Sequence, residues 1–203
     1  MPMKNMGKLN EPWGICGFTS SLYGLYAHNP AMRVRLSGRA VSACNMVAEI
    51  KSFLVTLQAG GKAAMLANIE TFTQSFGGVY AGWTVTTYIQ RINTLAASLD
   101  GLSTEDLAKP INDFSIALPP NAVVEYLKLI CDFQTATSRT GVVTTYPNEC
   151  ILGLCDTGTG PYNDLKHYVY YLNGTIHSWG KTFKNMTSTD FDGIRIVGHV
   201  ITF

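Results

Sequence analysis

Charge is scarce in this chain. Only 14% of its 203 residues are Asp, Glu, Lys or Arg, and the formal net charge is +1. No run of Lys or Arg is long enough to track a phosphate backbone, so nucleic-acid binding has no electrostatic basis. Long apolar runs are missing as well. None approaches the roughly 20 residues of a membrane-spanning helix, and the opening MPMKNMGKLNEPWG carries basic residues with no apolar stretch behind them, unlike a secretory leader. The expectation is a protein made in the cytoplasm without a Sec signal, any export using a specialised secretion system. Internal repeats and low-complexity segments are also absent, which removes solenoid and fibrous architectures.

Cysteines are few and odd in number: Cys16, Cys44, Cys131, Cys150 and Cys155. An odd set leaves at least one thiol outside any internal pairing. Cys44 and Cys131 sit within helical apolar patterns and read as small buried hydrophobes. Cys150 and Cys155 flank Ile-Leu-Gly-Leu in a stretch read as loop, where they suit a disulfide or half a metal site. A zinc site from Cys150, Cys155, His167 and His177 is the metal-binding alternative, but none of these forms a short-spaced ligand pair. No metal and no cofactor is expected.

What the chain does have is a core: 46% of residues are hydrophobic and ten are tyrosines. Its length suits one domain, 1–203. Phe18, Leu22, Leu25 and Tyr26 recur at helical spacing after Cys16, and Asn29-Pro30 stops them. Helices are predicted over 39–58, closed by Gly60-Gly61, over 62–75, closed by Gly77-Gly78, and over 83–99. Ser103-Thr-Glu-Asp106 has the form of a capping box, and Pro119-Pro120 opens a helix over 121–133. Residues 36–135 are thus largely helical. GVVTTY, KHYVYYL, TIHSWGKTF and GIRIVGHVITF then read as strands, with a hairpin at Asn173-Gly174, so 140–203 is the sheet portion. Helices followed by antiparallel strands give an α+β fold.

Cys16 follows a glycine turn and opens a helix, where unpaired N–H groups and the helix dipole favour thiolate. A thiolate needs a proton acceptor, and histidine suits that task near neutrality. His28 ends the first helix and reads as a cap; His199 lies in an apolar strand. His167 and His177 lie on the two arms of one hairpin. A tight turn at Asn173-Gly174 pairs Leu172 with Thr175 and turns His177 to the face away from His167, making Ser178 the fallback orienting residue and Asn185 a remote one.

GICGF opening a helix, followed far downstream by HYVYYLNGTIHSWG, resembles the papain superfamily. Papain-like peptidases place a Gln six residues before the nucleophile, where this chain has Asn10, and end in Asn-Ser-Trp-Gly, where it has His177-Ser178-Trp179-Gly180. Cell-wall endopeptidases of the NlpC type have a Cys-x-Gly-Phe-like start, which is Cys16-Gly17-Phe18 here without the intervening residue, and a Tyr-Leu strand, Asn-Gly turn and Ile-His return like this chain's. The resemblance implies a nucleophile helix packed on a C-terminal antiparallel sheet, with Cys16 as nucleophile, His167 as base and His177 as orienting residue. It also implies an oxyanion hole from Asn10 and the Cys16 N–H, and a cleft lined by Trp13, Gly14 and Trp179. The activity expected is that of a cysteine protease acting on a protein or peptide substrate through a thioester acyl-enzyme, in the manner of a bacterial effector toxin with an inhibitor or immunity protein as partner. A peptidoglycan amidase and a catalytically silent binding module are the alternatives.

Overall fold

The computed structural model describes residues 7–29, 43–99, 114–157, 159–184 and 196–203. The capping box at 103–106 and Asn185 lie outside them. A short helix, α1 (Asn10–Trp13), ends at Gly14, whose φ of 58° reverses the chain and whose N–H donates to the Asn10 carbonyl at 3.0 Å. Helix α2 (Cys16–His28) follows and is central: every residue from Gly17 to Leu25 is buried. A helix enclosed all round needs small residues where neighbours crowd it. Gly24 is such a position, since a Cβ there would lie 2.6 Å from the Phe203 ring.

Three further helices follow: α3 (Ala43–Ala59), α4 (Ala63–Gln74) and α5 (Val85–Leu99). Gly60 and Gly61 close α3 as their sequence suggests, with the Lys62 N–H returning to the Leu57 carbonyl at 2.9 Å and φ of 66° at Gly61. Helix α6 (Pro120–Leu129) has Pro120 in its first turn and ends before the predicted limit of 133, because Asp132 adopts a left-handed φ of 62°. Phe18, Phe53 and Tyr126 meet edge to face at centroid distances of 4.9–5.9 Å and join α2, α3 and α6.

The strands β1 (Thr137–Thr140), β2 (Glu149–Cys155), β3 (Leu165–Leu172), β4 (Thr175–Ser178), β5 (Lys181–Phe183) and β6 (Ile196–Thr202) form one antiparallel sheet in the order β1-β6-β2-β3-β4-β5. The fold class is therefore α+β. One face packs against α2 through Ile151, Tyr168, Tyr170 and Ile201; the other buries Cys150, Leu152, Leu154, Val169, Ile176 and Val200.

Three strand expectations are corrected. TIHSWGKTF is two paired strands, β4 and β5, with a turn at Trp179-Gly180 between them. The Cys150–Cys155 stretch is a buried central strand and no loop, since both faces of β2 are covered and its apolar run is continuous. GVVTTY is not a strand: β1 is the preceding TSRT, and Gly141 and Val143 donate singly to β6 carbonyls. Among the described residues no helix is long and apolar enough to cross a membrane.

Candidate active site

Strand β4 pairs with β3 only from Tyr170 to Leu172, so the start of β3 is open on that side. There, at the N-terminus of α2, lies a cleft of about 230 Å³. Cys16 lines it from α2, Asn10 and Gly14 from α1 and the turn after it, and His167, Tyr168 and Trp179 from β3 and the β4–β5 turn. Phe72, Phe76 and Tyr80, together with Ile116 and Leu118, form an apolar wall opposite. Nothing in the sequence marked that wall except the glycine pair at 77–78.

Cys16 is half-buried, and the backbone N–H groups of Tyr168, Gly17 and Cys16 itself donate toward its Sγ. Tyr168 follows His167 directly, so the thiol sits against the strand that carries the histidine. Burial nevertheless outweighs these donors and pushes the thiol up to about 11. The expected resting thiolate is thus replaced by a neutral thiol: desolvation costs the charge more than a helix N-terminus returns.

His167 is buried, and its Nε2 lies 2.7 Å from Ser178 Oγ. The indole of Trp179 covers the ring, with centroids 4.4 Å apart and planes within 11° of parallel. Burial lowers the imidazole to about 3, so it is neutral at neutral pH.

The hairpin register decides which neighbour orients His167. Leu172 pairs with Thr175 across the tight Asn173-Gly174 turn, and Tyr170 pairs with His177. Alternation then sends His177 toward α2, where its ring lies 5.6 Å from both Tyr23 and Tyr170, while Ser178 falls on the His167 side. The hydrogen bond to His167 is made by Ser178, and the bulge that would bring His177 round does not occur in β3–β4 pairing.

Asn10 is buried in the cleft wall, and its Oδ1 has no hydrogen-bond partner among the described residues. Trp13 does not line the cleft. It is fully buried against Phe114, 5.2 Å centroid to centroid, whereas Gly14 after it is exposed and lines the cleft. His28 pairs with Glu149 at 2.7 Å. His199 is buried with Nε2 2.6 Å from the Tyr162 carbonyl oxygen and Nδ1 3.2 Å from Thr140 Oγ1, and none of the three lines the cleft. Cys150 and Cys155 belong to opposite faces of β2, so they cannot ligate one ion together.

Comparison of the chain with known protein families, curated proteins and solved structures finds no match.

Proposed function

We propose that the protein is a papain-like cysteine hydrolase that cleaves a peptide or amide bond through a thioester on Cys16. The observation that carries this reading is the convergence in one cleft of a cysteine at a helix N-terminus and a histidine whose far nitrogen is held by a hydroxyl. His167, held at Nε2 by Ser178, is the base that serves the thiol. Substrate binding expels water from the cleft, and His167 takes the Cys16 proton as Sγ attacks the carbonyl carbon. The imidazolium is then balanced by the oxyanion of the tetrahedral adduct, which offsets the burial cost that keeps His167 neutral at rest. The imidazolium next protonates the leaving amine, and water activated by His167 hydrolyses the thioester.

The oxyanion of each tetrahedral intermediate is held by the Cys16 N–H and by Asn10. Its buried amide oxygen lacks a donor, and a half-turn of the amide places Nδ2 there instead, where it donates to a developing negative charge. The apolar wall of Phe72, Phe76, Ile116 and Leu118 suits an uncharged side chain beside the scissile bond.

Incubation with unfolded casein and, separately, with purified peptidoglycan sacculi tests the reading. Casein cleavage that Cys16→Ala abolishes, with inert sacculi, is the expected result. Muropeptide release with intact casein would replace the protease reading by the cell-wall one. Turnover of either that survives Cys16→Ala would overturn the covalent mechanism.

A further inference from the structure

Tyr23 stands seven residues after Cys16, two helical turns along the same face of α2, and this face meets the sheet. Its ring lies parallel to Tyr170, at 6.1 Å and 8°, and beside His177. The Gly180 N–H donates to its hydroxyl. Gly180 is the second residue of the two-residue turn between β4 and β5, where Ser178 pairs with Lys181. Both turn residues are left-handed, Trp179 at φ 48° and Gly180 at φ 70°. That geometry is what takes the indole off the regular strand alternation and lays it on His167. Ser178, the partner of His167 Nε2, immediately precedes the same turn.

Residue 7 completes the arrangement. A Cβ on Gly7 would lie 2.3 Å from Gly180 N and 2.6 Å from Tyr23 Oη, so only glycine lets the backbone close over this hydrogen bond.

We infer that Tyr23 is a positioning residue: its hydroxyl, sealed by Gly7, ties the helix that carries the nucleophile to the turn that holds the base. The inference rests on the reading of Cys16 and His167 as nucleophile and base. It also gives His177 a task, since His177 and Tyr170 wedge the Tyr23 ring. Without the hydroxyl, the Gly180 N–H loses its buried acceptor, the turn relaxes, and Trp179 and Ser178 no longer fix one orientation of the imidazole. Of the side chains lining the cleft besides Cys16 and His167, Tyr80, Lys166 and Tyr168 are the titratable ones, and none belongs to the tie.

The test needs no substrate. Iodoacetamide labelling of Cys16, followed by peptide mass mapping, is measured on the full chain at neutral pH and in alkali for wild type, Tyr23→Phe, Gly7→Ala and His167→Ala. At neutral pH labelling depends on the base; in alkali the thiolate forms without it. Tyr23→Phe should label about tenfold more slowly than wild type at neutral pH and equally fast in alkali, the loss of one buried hydrogen bond being read through the base. Gly7→Ala should behave alike. A neutral-pH rate for Tyr23→Phe equal to wild type, with His167→Ala slow, would overturn the tie while leaving the catalytic reading intact. Should His167→Ala also label at the wild-type rate, the base assignment falls and the tie with it. Amide exchange at Gly180 in the unmodified protein is the second measurement: slow exchange is expected, and exchange at the rate of an open turn overturns the inference.

Discussion

Of the four cysteines whose side chains are described, Cys131, Cys150 and Cys155 are buried and Cys16 lines the cleft. Iodoacetamide should therefore label Cys16 first, and the reason is access more than acidity, because burial raises its pKa. Mass mapping with Cys150 or Cys155 labelled ahead of it would contradict this. Ser178→Ala should lower turnover about tenfold or more, the worth of a hydrogen bond to a group that becomes charged, while leaving KM nearly unchanged. Histidine burial also sets a pH dependence. His167 falls from 6.5 to about 3 on folding, so the unfolded chain binds the extra proton between those values. Its contribution to stability is complete above pH 6.5 and is lost as pH falls toward 3. Urea titrations across that range should show a shallower acid loss for His167→Gln than for wild type. Cys16, His167 and the fallback Ser178 were all singled out by sequence, and the structure puts the first two in one cleft and hydrogen-bonds the third to His167. The protonation state of the thiol was not legible there, since desolvation depends on what packs over the cleft and the sequence does not state it.

Among the elements, α2 and the β3–β4 hairpin were the easiest to read, because helical spacing and an Asn-Gly turn are local signals. β2 was opaque for the opposite reason. A strand covered on both faces shows no alternation, and its Gly153 and two cysteines resemble a loop. TIHSWGKTF looked like one strand but contains a second turn, at Trp179-Gly180, whose left-handed Trp179 has no sequence precedent as a turn former. The packing of α2 supplies a stability prediction. Phe18 is fully buried between Phe53 and Tyr126, so Phe18→Ala should cost about 3–5 kcal/mol in chemical denaturation. A loss below 1 kcal/mol would mean that this aromatic contact does not anchor the helix.

At the scale of the whole molecule, one buried cluster contains Phe18, Phe53 and Tyr126 from the helices and Ile151, Tyr168, Tyr170 and Ile201 from the sheet. The helical and sheet portions read from the sequence thus share a core. Unfolding monitored by far-ultraviolet circular dichroism and by tryptophan fluorescence should give coincident transitions, and two separated transitions would divide the portions into independent units. The sheet itself ends in two very short strands, β1 with four residues and β5 with three. Each carries a cation, Arg139 and Lys181, at a boundary with no neighbouring strand among the described residues. Brevity and positive charge at both margins discourage strand-to-strand stacking between molecules. An engineer who extended either margin with β-branched residues would therefore be building a template for fibres.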